Sequence, residues 1–555
     1  MKKFSRLKKL GFSVASILLA ITFLPALCFR KLENHNPLPE SFSKGVFHVH
    51  STFSDGKGDL EEITAAAGEL DFVVLTDHGS PNLDSANATQ WINGVLVVGG
   101  SELVSHRAHV AAAGFSPPTY YRYPPEPQEL IDEVNRHHGI SFIAHPFYRT
   151  NPWTDWSIEG HTGIELINAH TAPSLPRFSR FFLIPRYFAR PDFAMLTTLV
   201  YPEPNVTAWE EMNETGRYFG IFALDAHARK PVGFDKYIHL PKYAEMFRFL
   251  NVYVKHNEML GDDSMSAAAS LVDSIRAGSF FNCIEGIAPA NGFDAFFNSD
   301  TGERVEMGGA SESHTGKLVI RLPFDFETDV VVKRNGETYD EFKNNSESNL
   351  TVSISDAGIY RIEVYASSSA FNDLPWIMSN PVFLSTQIFQ EEPPIPVARK
   401  SLASRPGFFR VGHDPSSEGS LVEEIDCESL VVGLRYNLPE DPVTKEYFVA
   451  LANRKPRSFT GFKGLVLRVR SDERAIFWLM FRTKSDGTEI WYRHSFAADQ
   501  EWSEVAIPFD DFSVHFGEIR PPDLEAVASL HISIDARVAF PGASGTLFVK
   551  DLGLF

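Results

Sequence analysis

Six short apolar runs, each followed by residues of a metal-ligating type, constrain this chain more than any other feature of its sequence. Residues 45–47 lead into His48-Val49-His50, and the loop that follows carries Asp55. Residues two apart on a strand point to the same side, so His48 and His50 can direct two imidazoles at one point. The other runs, with the residues that follow them, are 72–76 with Asp77 and His78, 95–101 with Glu102, 141–144 with His145, 164–168 with His170, and 219–224 with Asp225 and His227.

Ligand-type residues at strand ends are typical of β/α barrels, whose active sites are assembled at the C-terminal ends of the strands. Eleven of the 19 histidines lie between His48 and His227, which random scatter would not place at strand ends. Imidazoles mixed with carboxylates, and without a thiolate, suit Zn, Mn or Fe rather than a cysteine-rich structural zinc site or a calcium loop. The pattern therefore predicts a metal centre at the end of a β/α barrel.

The ordered motifs HxHS–SDG, TDH, GSE, AHP and DAH resemble those of the PHP (polymerase and histidinol phosphatase) metal-dependent hydrolases over about residues 43–298. The run GSELVSHRAHVAAAGF is similar to the carbaryl-hydrolase-like CehA/McbA branch, in which a His follows the Glu. As an ordered set the motifs are specific, whereas each alone is weak. The resemblance implies a distorted (β/α)7 barrel of the PHP type over residues 45–298, with an insertion at 171–206.

The resemblance also implies a centre of two or three Mn, Fe or Zn ions whose ligands fall into three sets. The expected sets are His48, His50, Glu102 and Asp225; then bridging Glu102 with His145 and His170; then Asp55, His78 and His227. His109 is expected either to replace His170 or to donate a proton, which makes His109, Asp225 and Glu102 the implied catalytic residues. Glu165 and Asp77 are candidate acceptors that fix the tautomers of ligand histidines.

Candidate substrate contacts are less well defined. Lys57, Arg107 and the arginines of 177–190 are candidates for binding an anionic substrate, and each is alternatively a solvated surface charge. Residues 171–190 carry four arginines and no acidic residue, with aromatic residues interleaved. This insertion is interpreted either as a lid over the site, in contact with substrate or membrane, or as a segment packed on the barrel.

Three functions from different classes follow. The first is an exported metal-dependent phosphoesterase that uses a hydroxide activated by a di- or trinuclear centre, acting on a small phosphorylated substrate. The second is a carboxylic or carbamic ester hydrolase of the CehA/McbA type, and the third is a non-catalytic surface glycan-binding protein. No G-x-S-x-G, P-loop or H-E-x-x-H pattern occurs, and a net charge of -20 argues against general nucleic-acid coating.

The N-terminus predicts export to the periplasm or cell surface. Five basic residues lie within positions 2–9, and residues 11–29 contain no charge. Nineteen uncharged residues at about 1.5 Å each can just span a bilayer as a helix. Residues 1–31 are therefore expected to be a membrane anchor or a cleaved signal peptide, followed by a tether at 32–44.

The remainder of the chain is predicted to be β-structure. Short strand-like runs separated by turn residues indicate an Ig-like β-sandwich at 299–388, a Pro-rich linker at 389–406 and a β jelly roll at 407–555. The last region resembles the galactose-binding-like jelly rolls of the CIA30 and family 11 carbohydrate-binding type. Trp478, Trp491 and Tyr492 are expected to form either a platform for a glycan or cross-strand core pairs.

Overall fold

The computed structural model describes residues 23–555 except 107, 172–179, 234–235, 239, 257–258, 324–325, 386–397, 399, 404, 427–428, 443–445 and 486. The chain divides into two compact units. The first comprises residues 1–116 and 134–390, and the second comprises residues 117–133 and 391–555. The predicted boundary at 298 does not separate these units, and the division into barrel and sandwich domains stays a prediction.

The first part of the first unit is built from short strands, several of which are completely buried. Parallel strands covered on both faces are continuous apolar runs, and Phe72–Leu75 is one such run. The strands are β1 (Phe42–Val49), β2 (Phe72–Leu75), β3 (His78–Gly79), β4 (Gln90–Ile92), β5 (Val95–Val98), β6 (Gly100–Ser105), β7 (Ala108–Ala113), β8 (Ile140–Ile143), β9 (Gly163–Asn168), β10 (Phe219–Ala223), β11 (Lys230–Gly233), β12 (Lys236–Ile238), β13 (Asn251–Lys255) and β14 (Phe280–Cys283).

Along the chain, the described residues between these strands form eight α-helices. The first begins at an N-cap, Asp59, whose carboxylate accepts from the Glu62 amide, and the last begins at Asp263 in the same way. The helices are α1 (Leu60–Ala67), α2 (Leu83–Ala86), α3 (Pro127–Arg136), α4 (Arg180–Ala189), α5 (Pro191–Leu196), α6 (Glu203–Met212), α7 (Tyr243–Met246) and α8 (Ser264–Arg276).

Two sheets carry the predicted ligand positions. One contains the order β14-β13-β1-β2-β5-β4, with β1, β2 and β5 parallel, and the other has the order β10-β9-β8-β7-β6-β3, with β8, β9 and β10 parallel. Backbone hydrogen bonds join them at the strand ends, where the Ala226 amide donates to the His48 carbonyl and the Glu102 amide donates to the Thr76 carbonyl. The ends of the two sheets therefore meet at the ligand-type residues.

The structure does not show the predicted (β/α)7 barrel. Only residues 106 and 107 separate β6 from β7 in the sequence, and β7 pairs antiparallel with β6 and with β8. A direct hairpin needs no crossover helix, whereas a βαβ unit requires one. The segment GSELVSHRAHVAAAGF therefore forms two antiparallel strands, and the strand ends are brought together by two sheets.

Residues beyond 290 add ten strands to the first unit. They form a four-stranded sheet in the order β16-β15-β18-β21, and they extend the first sheet through the pairing of β14 with β23. These strands are β15 (Asp294–Ser299), β16 (Arg304–Glu306), β17 (Ala310–Ser311), β18 (Gly316–Arg321), β19 (Thr328–Arg334), β20 (Glu337–Asn345), β21 (Asn349–Ile354), β22 (Gly358–Ala366), β23 (Ile377–Ser379) and β24 (Val382–Leu384).

The segment predicted to be a tether makes specific contacts in the first unit. The Leu32 amide donates to the Ile287 carbonyl, and the Asn34 amide group donates to the carbonyls of Pro289 and Asn291. Most of the predicted 11–29 span lies outside the described residues. No helix of the described residues is long and apolar enough to span a membrane.

The second unit contains two six-stranded antiparallel sheets, in the orders β27-β28-β36-β30-β33, with β25 beside β36, and β26-β29-β35-β31-β32-β34. Two sheets of this kind agree with the predicted β-rich C-terminal region. The strands are β25 (Lys400–Ser401), β26 (Arg410–His413), β27 (Glu418–Asp426), β28 (Ser429–Asn437), β29 (Phe448–Asn453), β30 (Gly464–Ser471), β31 (Ala475–Ser485), β32 (Thr488–Ala498), β33 (Ser503–Pro508), β34 (Ser513–Phe516), β35 (Val527–Asp535) and β36 (Ser544–Leu554).

His161, just before β9, predicts acid sensitivity of the first unit. Its ring stacks on Tyr218, and neither ring nitrogen has a hydrogen-bond partner among the described residues. Burial lowers the pKa of His161 to about 3, against about 6.5 when unfolded. The unfolded chain therefore binds the extra proton first, so this stability contribution is lost as the pH falls from about 6.5 towards 3.

Between pH 7 and pH 4.5 the free energy of unfolding is expected to fall, and we expect this fall to be about 2 kcal/mol smaller in His161→Phe than in wild type. The phenyl ring keeps the stacking contact and has no proton to bind. Denaturant unfolding at both pH values measures this difference. The exposed His35→Phe is the control variant. An equal pH dependence in wild type and His161→Phe would contradict the prediction.

Candidate metal centre

The HxH and DAH motifs are held side by side by backbone hydrogen bonds. The His50 amide donates to the Ala226 carbonyl at 3.0 Å, and the Ala226 amide donates to the His48 carbonyl at 3.1 Å. These bonds fix the end of β1 against the loop after β10. His48, His50 and Asp225 consequently present ligand atoms that lie within 4.8 Å of one another.

Three of the predicted ligands have left-handed backbone conformations. The φ angles are 68° at His48, 31° at His145 and 51° at Asp225. Such conformations are uncommon for residues with a side chain, and they persist where the surrounding structure determines them. Because they occur at three residues whose side chains converge, the surrounding structure must hold these side chains in place despite the unfavourable energy of the backbone conformation.

The loop after His50 is anchored by Asp77 and Tyr243. The buried Asp77 carboxylate accepts from the Ser51 amide and hydroxyl, each at 2.8 Å, and from the Ser54 hydroxyl at 2.6 Å. The Tyr243 hydroxyl donates to the His50 carbonyl at 2.8 Å and accepts from the Gly58 amide at 3.2 Å. Asp77 thus positions the loop through its serines, whereas the sequence suggested that it would hold a ligand histidine directly.

The glycine of the SDG motif is required by space. A Cβ atom at Gly56 would lie 2.4 Å from the His50 carbonyl oxygen, closer than real Cβ contacts. The chain can therefore fold back on His50 only with glycine at this position. This return brings Asp55 beside the histidines, with its Oδ1 3.1 Å from His227 Nε2 and 3.8 Å from His78 Nε2.

Glu102 lies at the centre of the cluster and is 1% exposed. Its Oε1 is 2.7 Å from His109 Nδ1 and 2.9 Å from His145 Nε2. Its Oε2 faces a different set of nitrogens, those of His78 at 3.0 Å, His50 at 3.3 Å and His48 at 3.4 Å. The two oxygens of one buried carboxylate are therefore shared between two groups of imidazoles.

Four groups of side chains in the described residues are close enough to hold an ion. Several residues belong to two groups, so the groups form one continuous cluster rather than separate sites. They are His50 with Asp55, His78 and His227; His48 with His50 and Asp225; His78 with Glu102 and His109; and His170 with Asp225 and His227.

Glu165 fixes the orientation of His48. Its Oε1 lies 2.5 Å from His48 Nδ1, and its Oε2 accepts from the His145 amide at 2.8 Å. With its proton on Nδ1, His48 directs the lone pair of Nε2 towards His50 Nε2, 3.1 Å away. Two imidazole nitrogens at this distance, with carboxylates around them, fit a cation between them, so this donor set suits a divalent transition metal.

Electrostatics keep the central carboxylates ionised. Burial by itself raises the pKa of Glu102, but His48, His109 and His145 outweigh it and hold the pKa well below its usual range. Burial by itself likewise raises the pKa of Asp225, but His48 and His50 outweigh burial and hold this pKa well below its usual range. Both carboxylates therefore carry the charge that cation binding requires.

The structure brings most of the predicted ligands together, with one difference in grouping. His170 was expected with Glu102 and His145, but it lies with Asp225 and His227 and is exposed. His109 lies beside Glu102 instead, with its Nδ1 2.7 Å from Glu102 Oε1. The side-chain positions arise from the β6–β7 register, which pairs Val104 with His109 and places His109 on the face of Glu102.

Fewer of the predicted substrate-contact residues than of the predicted metal ligands lie in the described cluster. Arg107 and Arg177 lie outside the described residues, and Lys57 is exposed on the anchored loop. Arg229, which the sequence did not single out, lies at the site, with its Nη1 2.9 Å from Asp55 Oδ2. Its only sequence signal was its position two residues after His227 in the DAH motif.

The aromatic residues proposed as a glycan platform are mostly core. Trp478 and Tyr492 are each 1% exposed, and the Trp478 indole donates to Asp535 at 3.0 Å. Trp491 is half-buried beside the rings of His531 and the guanidinium of Arg482. Two of the three rings therefore have no face available for a sugar, which favours the core interpretation for them.

One family description matches part of the chain. Complex I intermediate-associated protein 30 (CIA30) matches residues 447–541, which confirms that part of the predicted C-terminal resemblance. No curated protein matches the chain at a significant level. The CehA/McbA branch is not confirmed and stays a prediction.

Several solved structures are similar at low identity. A two-domain protein from Bacteroides vulgatus, which contains a predicted PHP-like metal-dependent phosphoesterase, is 14% identical, with 63% of this chain and 99% of that chain covered and a TM-score of 0.32. The family 11 carbohydrate-binding module from Clostridium thermocellum is 15% identical, with 29% and 97% covered and a TM-score of 0.24. A family 30 module from the same organism is 16% identical, with 28% and 95% covered and a TM-score of 0.22.

Glu102→Gln is expected to lower metal content and to retain the fold. The amide keeps the shape of the side chain but removes the charge that two groups of imidazoles share. Elemental analysis and circular dichroism of the purified variant measure the two effects. The control is Glu69→Gln, at a carboxylate that is 95% exposed. Wild-type metal content in Glu102→Gln would contradict the bridging role of Glu102.

Tyr243→Phe is expected to weaken metal binding by roughly tenfold, because it removes the hydroxyl that ties the Asp55 loop to His50. Titration of the metal-free protein with Zn²⁺ or Mn²⁺ measures the change. Tyr360→Phe is the matched control, since that hydroxyl donates to the Asp356 carbonyl elsewhere in the same unit. Equal affinities in the two variants would show that the loop does not depend on this bond.

Proposed function

We propose that this protein is a metal-dependent hydrolase of phosphate esters. The observation that carries the proposal is the buried Glu102 carboxylate, whose two oxygens face His109 and His145 on one side and His48, His50 and His78 on the other. A carboxylate placed in this way is suited to bridge two cations. Shared ligands between neighbouring groups then favour a centre of two or three ions of Mn, Fe or Zn.

Divalent ions, when bound, would lower the pKa of water to about 7 and offset negative charge on the ester oxygens. The residues of the chain would supply the rest. Glu102, Asp225 and Asp55 provide the anionic ligand atoms, and Glu165 holds the ring of His48 in one orientation. These contacts are formed by strand ends and an anchored loop, so little reorganisation is needed when ions bind.

His109 is the residue best placed to move a proton. Its Nδ1 is 2.7 Å from Glu102, while its side chain is 22% exposed, whereas the side chains of His48 and His50 are completely buried. An imidazole at the edge of the site can exchange protons with solvent and deliver one to the leaving oxygen. We assign His109 this role of general acid, with Glu102 orienting its ring.

Arg229 favours an anionic substrate. Its guanidinium lies against Asp55 at the edge of the cluster, and arginine is the residue best suited to phosphate because of its planar set of donors. This cation supports phosphate esters over the alternative carboxylic or carbamic esters. The glycan-binding alternative is disfavoured because Trp478 and Tyr492 are buried.

We also propose that the protein is exported and tethered to a membrane, acting on substrate outside the cytoplasm. The proposal rests on the basic residues of positions 2–9 followed by the uncharged run 11–29. Positive charges of this kind are retained on the cytoplasmic side. Protease added to spheroplasts of cells that produce the full chain, in which only the cytoplasmic membrane is intact, tests the assignment, and full protection from protease would contradict it.

The test of the enzymatic proposal uses the full chain, purified in mild detergent with its metals counted by elemental analysis. Hydrolysis is then assayed on a phosphomonoester, a phosphodiester and a naphthyl carbamate. We expect two or three Mn, Fe or Zn ions per chain and phosphoester cleavage that chelation abolishes and metal restores. His109→Ala should lower kcat at least a hundredfold with metal content retained.

The remaining outcomes discriminate among the alternatives. Cleavage of the carbamate alone would replace the phosphoesterase proposal with the carboxylic or carbamic ester alternative. Bound metal without turnover on any of these substrates would support a binding protein instead. The matched control is His35→Ala, at an exposed histidine outside the cluster, which should retain wild-type turnover.

A further inference from the structure

Exposed apolar side chains border the polar metal site. Phe147, Tyr148 and Trp156, here called the aromatic shelf, are 47%, 37% and 39% exposed, and Val104 is 46% exposed. Phe147 and Tyr148 follow the ligand His145 by two and three residues. Contiguous exposed apolar groups mark binding sites more often than isolated ones do, so this grouping beside the metal centre points to a ligand.

Val104 adjoins the site through strand geometry. It lies two residues after Glu102 on β6, so both side chains project from the same face of the strand. Its register partner on β7 is His109, which contacts Glu102. An aliphatic side chain is therefore placed directly beside the proposed proton donor and remains open to solvent.

The aromatic shelf is held by a folded loop. The Tyr148 amide donates to the His145 carbonyl at 2.9 Å, and the Trp153 amide donates to the Pro146 carbonyl at 2.7 Å. Trp153 is buried and anchors the loop from beneath. The loop thus buries the Trp153 side chain but leaves the Trp156 side chain at the surface, although the two side chains are equally hydrophobic.

Ring geometry connects the aromatic shelf to the centre. The Tyr148 ring meets the His145 ring edge-on, with centroids 5.6 Å apart. Phe147 and Trp156 stack on each other at 5.6 Å with an interplanar angle of 26°. These contacts orient the rings before any ligand arrives, and pre-oriented aromatic faces bind flat rings at a low cost in conformational entropy.

We propose that the aromatic shelf and Val104 form a subsite for the organic group of the ester, and that this group carries a ring with a face that stacks on an aromatic side chain. This inference rests on the proposed function, because the subsite is defined relative to the hydrolytic centre. The ring is either an aryl group, which stacks through its π face, or a sugar, which stacks through its C–H face. A ring held there places the ester bond towards His109 and Glu102.

The test compares kcat/KM for phenyl phosphate and glucose 1-phosphate, which carry rings, with that for glycerol 2-phosphate, which has none. We expect the double variant Phe147→Ala/Trp156→Ala to lower the ratio of ring-bearing to ring-free kcat/KM at least tenfold, mainly through KM. A loss confined to phenyl phosphate identifies an aryl group, and a loss confined to glucose 1-phosphate identifies a sugar. An unchanged ratio for both ring-bearing substrates overturns the inference.

Phe516→Ala, at an aromatic residue that is 67% exposed in the second unit, is the matched control and should leave the ratio unchanged. Metal content and thermal unfolding verify that the double variant is folded. Should the double variant fail to fold, the single variant Trp156→Ala replaces it, with an expected loss of at least threefold in the same ratio.

A binding measurement separates failure of the subsite from failure of the proposed function. Calorimetry with benzylphosphonate and ethylphosphonate on the metal-loaded full chain needs no turnover. Tighter binding of benzylphosphonate that the double variant loses supports the subsite, even where none of the three phosphomonoesters is cleaved. Equal binding of the two phosphonates by wild type overturns the subsite, whatever the chain hydrolyses.

Discussion

An ionised carboxylate removed from water needs compensating positive charge, and Glu102 is almost completely buried with five imidazoles of the described residues around its two oxygens. Desolvating a charged group costs several kcal/mol when it is not paired. The surrounding histidines offset that cost by adopting charge themselves or by sharing a cation with Glu102. A shared cation is the more favourable arrangement, because one ion compensates the charge of several carboxylates and leaves the imidazoles neutral.

The architecture serves to bring that cluster together. Strands β1, β8, β9 and β10 end near one another because backbone hydrogen bonds link the edges of the two sheets, and the ligand-type residues follow those ends. A loop fixed by Asp77 and Tyr243 then adds Asp55, and the β6–β7 hairpin adds His109. His48, His145 and Asp225 have left-handed backbone conformations. These conformations are locally unfavourable, and the surrounding structure maintains them where the ligand side chains converge.

The ligand positions were readable from the sequence because each combines a short apolar run with a residue type that binds metal. The sheet arrangement could not be predicted, because the segment of β6 and β7 lacks the Asn-Gly or Gly-rich turn that marks a hairpin. The predicted β/α barrel has no antiparallel hairpin at this position. Composition also does not distinguish Trp153, which is buried, from Trp156, which is exposed. Arg229 was missed because no periodicity marks a residue beyond a motif, and only the fold places it against Asp55.

The most direct test of the central claim, that Glu102 bridges bound ions, is anomalous X-ray diffraction from crystals of the metal-loaded protein, with data at the absorption edges of Mn, Fe and Zn. We expect two or three peaks within the cluster of His48, Asp55, Glu102, Asp225 and His227, with a peak close to each of the two Glu102 oxygens. A single ion that does not contact Glu102, or metal found only outside this cluster, would contradict it.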